Sequence, residues 1–540
     1  MFKQGAKISA AGAVAVCICI AVAAAAHAAY PAELALRSAS SSANVRVSVY
    51  LTDANLAHAA LTHEPDLTLS RAALPRGVRV IRVDDGRHFQ RILGFGAAIT
   101  DSSAWLVQTQ LTSSERRQLL TQLFSPTAGI GLNFMRVPIG SSDFTASGVP
   151  YSYDDLGVGQ TDATLADFSI AHDQPYVIPV LQQMLARDRN IDLFASEWSP
   201  PAWMKANDAL SNIASRGTLL PRYYQAFADY FVRFIEAYKS FGLPIWGIAP
   251  QNEPSTPTRY PGMSLTGAEE AQIIEDELAP EFAGNGLDTR IYAGETDIQN
   301  ELAPTVLESP AKRVVAGAAW HCYQGERGLN EFHMGFPRAQ NLVTECASKI
   351  SPYATAEAAI DSLRNWAAVF DTWNTALDQG GGPVEEPNVG CSSCVGLAVI
   401  NDGAAPFATR PRPKFTSGYY QLGQFSKFIA RGAIRIFTPR WVHDNGPTSA
   451  AAVSPGIDNV AFVDPNGERV LVAYNNGSRA RTFGVTWHSL HFAYLLRAGA
   501  TVTFVWPGAR PSRASPCLNA PFAYFVDNRN LADSYAKPEC

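Results

Sequence analysis

Strand-like and helix-like stretches alternate between Ile92 and Leu377, and this alternation constrains the fold more than any other feature of the sequence. The strand-like stretches are short apolar runs that end in polar or aromatic residues: Ile92–Thr100, Leu132–Gly140, Ile191–Ser199, Ile245–Gln251, Arg290–Gly294, Val314–Tyr323, Leu342–Cys346 and Val369–Asn374. Eight parallel strands joined by helices can close into a barrel. An open doubly wound sheet would need a glycine-rich phosphate turn, and Gly94-Phe95-Gly96 lacks the third glycine. The sequence therefore predicts an α/β fold, a (β/α)8 TIM barrel over residues 92–430.

Two of the intervening segments carry clear helix signals. Thr112 and Glu115 match a capping box at the start of one helix. Between Phe227 and Tyr238, large apolar residues recur at the 3.6-residue period of a buried helix face. We therefore expect these aromatic residues to belong to the core and not to a cofactor site.

Beyond Arg431 the pattern changes to short strands separated by turn signals. The candidate strands are Ala433–Thr438, Asn459–Val463, Arg469–Tyr474, Thr482–Thr486 and Ala500–Val505. This spacing predicts an attached all-β sandwich domain over residues 431–507. Val45–Leu51 and Val78–Val83 are also strand-like, so the N-terminal segment 29–91 is expected to join the sandwich in part. Residues 508–540 show no period and are interpreted as an irregular tail.

The N-terminus has the pattern of a secretory signal peptide over residues 1–28. Lys3 and Lys7 precede an apolar stretch from Ile8 to Ala26, and Ala26-His27-Ala28 matches a cleavage site. An uncleaved membrane anchor is the alternative, which the length of the stretch favours and its alanine-rich composition does not. No later segment is apolar for long enough to span a bilayer. We expect a secreted protein, extracellular or periplasmic, with no transmembrane segment after cleavage.

Charge and cysteine spacing exclude several other classes of protein. The formal charge of −6 leaves no basic stripe for nucleic acid. Cys391-Ser392-Ser393-Cys394 has no second ligand pair nearby, so we expect neither a metal ion nor a cofactor. Each of the pairs Cys391/Cys394 and Cys517/Cys540 could form a local disulfide. Nothing in the sequence indicates an oligomeric state.

Two glutamates end otherwise apolar strands, Glu253 in Pro250–Pro254 and Glu345 in Leu342–Cys346. A buried carboxylate without a partner is costly, and a pair of them is the minimal apparatus for glycosidic bond cleavage. The barrel places strand ends at one rim. Other polar and aromatic residues at these ends are Arg136, Asp143, Trp198, Asn252, His321, Tyr323 and Trp373. The set predicts a carbohydrate site.

A series of motifs, in order along the chain, resembles glycoside hydrolase family 30, the family of the lysosomal glucosylceramidase. The matching runs are Gly94–Asp101, Arg136–Gly140, Asp143-Phe144, Asp167–Ile170, Trp198–Lys205, Asn252–Pro254, His321–Tyr323, Thr344-Glu345, Trp373-Asn374 and Gly418–Lys427. The resemblance implies a (β/α)8 barrel with an attached β-sandwich, and retention of anomeric configuration. It implies Glu253 as the general acid/base and Glu345 as the nucleophile.

The resemblance also implies roles for the residues around this pair. Asn252 is expected to bind the sugar 2-hydroxyl, and Arg136 and Tyr323 to hold Glu345. The positions that match glucose-binding residues of the glucosylceramidase branch are Asp143, Trp198, Trp373 and Asn388. The charge of Glu345 is expected to raise the pKa of Glu253, which keeps the acid protonated.

Three positions depart from the family pattern. Cys322 stands where a tryptophan is common, Glu197 replaces a usual proline, and the loop Ser255–Tyr260 is shorter than in the lysosomal enzyme. Cys322 and Cys346 each follow an active-site residue on neighbouring strands. We therefore hypothesise a disulfide between them.

The residues support a secreted retaining β-glycosidase that hydrolyses β-glucosides, similar to glucosylceramidase. The alternative on the same fold is an endo-β-1,6-glucanase, or a β-xylosidase or xylanase. The glucose-type residues, Asp143 and Trp198 among them, argue against xylan. A non-catalytic sugar-binding module would be expected to lack one of the two glutamates, and the sequence has both.

Overall fold

Eight parallel strands close into a barrel in the computed structural model, which confirms the predicted fold class. In barrel order they are β4 (Gly94–Ala98), β5 (Phe134–Ile139), β6 (Asp192–Glu197), β7 (Ile245–Ala249), β8 (Arg290–Asp297), β9 (Val315–His321), β10 (Gln340–Glu345) and β11 (Ala367–Thr372), and β11 pairs with β4. The described residues are 44–254, 256–298, 300–324, 327–347, 354–385, 391, 394–401, 412–439 and 456–508. The predicted signal peptide and the tail beyond residue 508 lie outside them.

Ten α-helices are described, most of them between the barrel strands. They are α1 (Asp101–Thr109), α2 (Ser113–Phe124), α3 (Val177–Leu185), α4 (Tyr224–Ser240), α5 (Gly267–Gln272), α6 (Ala279–Gly284), α7 (Leu302–Glu308), α8 (Arg327–Gly335), α9 (Thr355–Arg364) and α10 (Ser417–Ser426). Short 3₁₀ turns cover Ala202–Met204, Ile213–Ser215, Pro221–Tyr223 and Pro310–Arg313, and a π-helical segment covers Ile273–Leu278. The capping box at Thr112 and Glu115 is confirmed, as is the buried aromatic face of α4. No described helix combines the length and the apolar character needed to cross a membrane.

A nine-stranded sheet unites strands from before and after the barrel. Its order is β19 (Leu490–Leu496), β18 (Arg481–Trp487), β3 (Arg79–Arg91), β15 (Ile434–Phe437), β16 (Ile457–Val463), β17 (Arg469–Asn475), β20 (Thr501–Trp506), β1 (Val45–Thr52) and β2 (Thr62–Leu69). The first part of β3 pairs with β18 and the remainder with β15, so this long strand connects the two layers of the sandwich. Side chains from both layers, such as Val47 and Phe492, form one apolar core.

Two strands of this sheet, β2 and β19, are absent from the predicted set, and both lie at its edges. β2 contains Pro65, which an edge strand tolerates because one side of the strand makes no ladder hydrogen bonds. A smaller sheet follows the barrel strands and consists of β12 (Ala376–Leu377), β13 (Ala398–Val399) and β14 (Lys414–Phe415). Its first two strands flank the chain segment that carries Cys391 and Cys394.

Gln424 of α10 connects the barrel to the sandwich through a buried polar contact. Its side-chain amide donates to Thr52 Oγ1 at 2.7 Å and accepts from Thr503 Oγ1 at 2.6 Å. Thr52 is the last residue of β1, which precedes the barrel in sequence, and Thr503 lies in β20, which follows it. One side chain of the barrel domain therefore contacts sandwich strands from before and after the barrel. Gln424 has 0% of its surface exposed, which removes water as an alternative partner.

We predict that Gln424→Ala lowers the free energy of unfolding by about 1–3 kcal/mol, because it removes buried hydrogen bonds to two hydroxyl groups. Urea-induced unfolding followed by fluorescence measures the change. The matched control is Gln118→Ala on the exposed face of α2, which is expected to change stability by less than about 0.5 kcal/mol. Equal effects of the two substitutions would contradict this account of the interface.

Candidate active site

The two strand-end glutamates meet at the carboxyl end of the barrel. Glu345 is the last residue of β10, and Glu253 follows β7. A carboxylate oxygen of each lies within 4.8 Å of the other. They open into a cavity of about 310 Å³, lined by Asp143, Trp198, Asn252, Glu253, Tyr260, Tyr323, Glu345, Trp373 and Cys391. Of the predicted site residues, Arg136 and His321 are fully buried and do not line the cavity, and Asn388 lies outside the described residues.

Glu345 is held by two hydrogen-bond donors. Arg136 donates through Nη1 to one carboxylate oxygen, and the Tyr323 hydroxyl donates to the other at 2.7 Å. Arg136 also donates through Nη2 to Asn252 Oδ1 at 2.6 Å. Burial alone would lower the pKa of Arg136, but the carboxylates of Glu295 and Glu345 raise it. One guanidinium therefore fixes the positions of Glu345 and Asn252 together.

Glu253 lies in a turn with a positive φ of 44°. Its Oε1 lies 3.0 Å from Nδ1 of His321, and its Oε2 accepts from the Tyr260 hydroxyl at 3.4 Å. Burial raises the pKa of Glu253, but His321 and then Arg136 lower it, and the net shift is downward. The expected net rise in this pKa is wrong, because the cations His321 and Arg136 together outweigh the effect of burial.

His321 lies between carboxylates and is fully buried. Its Nδ1 faces Glu253, and its Nε2 lies 3.5 Å from Glu295 and 3.7 Å from Glu345. Burial lowers the pKa of His321, yet the carboxylates, Glu345 first, raise it to about 10. His321 is therefore an imidazolium at neutral pH, with its nitrogens directed at carboxylates and not at the sugar cavity.

Glu253, His321 and Glu345 each offer one donor atom within a 4.8 Å cluster, a spacing that would also suit a metal ion. The guanidinium of Arg136 already contacts Glu345, and the imidazolium faces both glutamates. Two cations thus occupy the electrostatic role that a metal would take. The donor set fits a proton-sharing cluster better than a metal site.

Two tryptophans form an aromatic wall of the cavity. The rings of Trp198 and Trp373 stack with centroids 5.5 Å apart and an interplanar angle of 17°. The Arg136 guanidinium lies 4.5 Å from the Trp198 ring centroid, so a cation–π contact also holds this wall in place.

Burial, and then the charge of Glu345, raise the pKa of Asp143 to about 8. Asp143 is therefore a neutral carboxyl near pH 7 and can donate a hydrogen bond to a hydroxyl.

Both described disulfides adjoin the cavity. Cys322 is bonded to Cys346, with their Cα atoms 5.2 Å apart, which confirms the hypothesised bridge. Cys391 is bonded to Cys394, and its N–H donates to Asp143 at 3.2 Å. The pair Cys517/Cys540 lies outside the described residues.

The other departures from the family pattern have separate outcomes. Glu197 is fully buried near Lys205, and burial raises the pKa of Glu197 and lowers that of Lys205 to about 7. Neither residue lines the cavity. Tyr260 does line it, despite the short loop that carries it.

Glu295 is a site residue that the sequence interpretation missed. It lies near the end of β8, is fully buried and forms an ion pair with Arg136. The predicted strand ends at Gly294, one residue before it. The signal was available, because Glu295 is a third glutamate at the end of an apolar barrel strand.

Comparison with known proteins assigns the family. The family model for the glycosyl hydrolase family 30 TIM-barrel domain matches residues 92–429, and the model for the family 30 beta sandwich domain matches residues 432–504. An endo-1,6-β-D-glucanase of Aspergillus fumigatus is 33% identical over 455 residues, which cover 80% of this chain and 86% of that protein.

Relatives of lower sequence identity support the same family assignment. The lysosomal acid glucosylceramidase of Mus musculus is 29% identical over 451 residues, which cover 78% of this chain and 82% of that protein. The solved structure of an endo-β-1,6-glucanase matches with a TM-score of 0.71 and 28% identity, covering 85% of this chain and 99% of that one. Both family domains are matched in sequence order, and the described barrel and sandwich correspond to them. This chain is a glycoside hydrolase and belongs to glycosyl hydrolase family 30.

Proposed function

We propose that this enzyme hydrolyses β-1,6-linked glucan with retention of configuration, with Glu345 as the nucleophile and Glu253 as the general acid/base. The observation that carries the mechanism is that one carboxylate oxygen of Glu253 lies within 4.8 Å of one carboxylate oxygen of Glu345. Retaining glycosidases hold their carboxyl groups about 5–5.5 Å apart, whereas inverting enzymes leave about 6.5–9.5 Å for a water molecule. The separation here supports direct attack by a carboxylate.

In the first step an oxygen of Glu345 bonds to the anomeric carbon while the glycosidic C–O bond breaks and the leaving oxygen takes a proton from Glu253. Arg136 and Tyr323 orient the attacking carboxylate. In the second step water attacks the anomeric carbon, Glu253 accepts its proton, and the ester bond to Glu345 breaks. Asn252 is oriented by Arg136 toward the cavity, where it can bind the sugar 2-hydroxyl.

The proton that Glu253 delivers is shared with His321. The downward shift in the pKa of Glu253 means that the carboxyl does not hold this proton alone in the free enzyme. At 3.0 Å, Nδ1 of His321 and Oε1 of Glu253 can exchange it along their hydrogen bond. A bound sugar displaces water from the cavity and strengthens these interactions.

The substrate proposal rests on the relatives and on the cavity. The endo-1,6-β-D-glucanase of Aspergillus fumigatus and the matching solved endo-β-1,6-glucanase support a glucan. Trp198 and Trp373 line the cavity, and an aromatic wall suits the C–H face of a glucose ring. The glucosylceramidase of Mus musculus supports a β-glucoside with a lipid aglycone as the second candidate.

We also propose that the enzyme is secreted. The signal-peptide pattern of residues 1–28 supports export. The disulfides Cys322–Cys346 and Cys391–Cys394 are compatible with an oxidising compartment.

Glu345→Gln is expected to reduce kcat on an aryl β-glucoside by about 10⁴-fold or more, because the amide cannot form the glycosyl ester. Steady-state kinetics with purified enzyme measure this loss. Glu308→Gln, at an exposed position on α7, serves as the matched control with unchanged kinetics. Wild-type activity in the Glu345 variant would refute the assignment of the nucleophile.

Glu253→Ala is expected to lose activity on β-1,6-glucan, while an aryl β-glucoside with a good leaving group still forms the glycosyl-enzyme without acid assistance. Added azide should then raise turnover and yield a β-glucosyl azide, since the anion needs no general base. Product analysis by mass spectrometry checks this. An α-glucosyl azide, or no effect of azide on a folded variant, would be inconsistent with the role of Glu253.

The substrate is tested with a linear β-1,6-glucan, glucosylceramide, and aryl β-glucoside, β-xyloside and β-fucoside in parallel. We expect the highest kcat/KM on the β-1,6-glucan, and ¹H NMR of the early products should show the β-anomer first. An α-anomer would exclude the double-displacement mechanism. A preference for glucosylceramide would replace the glucan by the second candidate without changing the mechanism.

A further inference from the structure

Glu295 is a buried carboxylate beside the active-site pair to which the mechanism above gives no role. It is the extra residue of a bulge in β8, since the pairing with β9 shifts register between Gly294 and Thr296. Its φ of 69° is left-handed, a strained conformation for a residue with a side chain. The N–H of Gly294 donates to the buried carboxyl of Glu270 at 3.0 Å and supports the bulge. Bulges re-aim side chains, and this one directs Glu295 toward Arg136.

Glu295 contacts Glu253 itself and residues that surround Glu253 and Glu345. One oxygen pairs with Arg136 and lies 3.5 Å from Nε2 of His321. The other accepts from the hydroxyl of Thr344 at 3.1 Å, and the backbone carbonyl accepts the N–H of Glu253 at 2.9 Å. Glu295 itself does not line the cavity. Its influence on a substrate must therefore pass through its neighbours.

We propose that Glu295 is a positioning residue whose fixed negative charge, facing Nε2 of His321, retains the catalytic proton within the Glu253–His321 couple. This inference rests on the proposed function, because it requires Glu253 to be the acid/base. A carboxylate at one ring nitrogen determines what the other nitrogen offers its partner. Here Glu295 faces Nε2, and Nδ1 is presented to Glu253.

The negative charge of Glu295 also has a role in the glycosyl-enzyme intermediate. When Glu345 becomes an ester in the glycosyl-enzyme, Arg136 and His321 lose one of the carboxylates that they face. A buried cation without a charged partner is strongly destabilising. Glu295 takes no part in bond formation and remains ionised, so the two cations keep a buried partner in the intermediate.

The couple is faced by several other titratable or charged groups: Arg136 from β5, Asp143 after β5, Tyr260 after β7, Asp297 from β8, Tyr323 after β9 and Glu345 from β10. Two further carboxyls, Glu270 from α5 and Asp371 from β11, interact with Glu295. Burial raises the pKa of Asp143 and of Glu270 to about 8, and raises that of Asp371 well above its usual range. Asp143 and Glu270 are therefore neutral near pH 7. Burial would also raise the pKa of Glu295, but Arg136 and His321 lower it, so it stays charged.

The sign of the expected effect follows from the charge. Removing a negative charge destabilises the protonated forms of neighbouring groups, so the pKa of the Glu253–His321 couple must fall. The basic limb of the pH profile of kcat/KM reports loss of the proton that the free enzyme donates. That limb should therefore move toward acid when Glu295 is neutralised.

The test compares pH profiles of kcat/KM on an aryl β-glucoside for wild type, Glu295→Gln and Glu295→Asp. We expect Glu295→Gln to shift the basic limb about 1–3 pH units toward acid, the range for a charge removed at this distance. KM should change by less than about threefold, because Glu295 does not line the cavity. Glu295→Asp retains the charge and should restore most of the profile. Glu270→Gln, which replaces a neutral carboxyl by an amide that can accept the same bond, serves as the matched control with an unshifted limb.

A Glu295→Gln profile that is lower but not shifted would overturn the proposal and indicate a purely structural role. An inactive wild-type enzyme, or an active Glu345→Gln variant, would instead refute the proposed function itself. If Glu295→Gln does not fold, ¹⁵N-histidine NMR of the wild-type enzyme provides the test, with His321→Asn identifying the resonance. Both ring nitrogens of His321 should be protonated up to pH 8, and a neutral ring at pH 7 would overturn the proposal.

Discussion

The structure of the catalytic end depends on one buried cation, the guanidinium of Arg136. It has 0% exposure and contacts two carboxylates, Glu295 and Glu345, from different strands. An unpaired buried charge of this kind would cost several kcal/mol, so the barrel must bring both partners to the same point. Closure of the eight strands provides that convergence, and the bulge in β8 adjusts the position of Glu295. The requirement to satisfy Arg136 thus links the barrel geometry to the arrangement of the catalytic groups.

The barrel and most of the site could be predicted because both depend on local pattern. Parallel strands covered on both faces read as continuous apolar runs, and their ends carry the polar side chains. Arg136, Glu253 and Glu345 were therefore identifiable from position alone. Glu295 also ends an apolar barrel strand, but its direction toward Arg136 depends on a one-residue shift of register between β8 and β9. Such a shift is decided by pairing in space and leaves no period in the sequence.

The incorrect expectation for Glu253 has a similar cause. Sequence motifs brought Glu253 and Glu345 together, and a like charge nearby would raise the pKa of the acid. The motifs also included His321 and Arg136, but they could not show that Nδ1 of His321 lies 3.0 Å from Glu253. The shift in the pKa of a group depends on which charged groups surround it and on their distances from it, and both are properties of the folded site. The edge strand β2 was missed because it contains Pro65 and charged residues, which its position at the edge of the sheet tolerates. The edge strand β19 was also missed, although its sequence has ordinary strand composition.

The disulfide between Cys322 and Cys346 links one departure from the family pattern, Cys322, to the geometry of the active site. Cys322 stands where a tryptophan is common, and its sulfur is committed to a bond with the residue that follows Glu345. The bridge ties together the ends of β9 and β10, where His321 and Glu345 lie side by side. Where the family resemblance implied a tryptophan, this chain has a covalent restraint beside His321 and Glu345. Tyr260 lines the cavity and donates to Glu253, so an aromatic residue of the cavity wall lies next to the proposed acid/base.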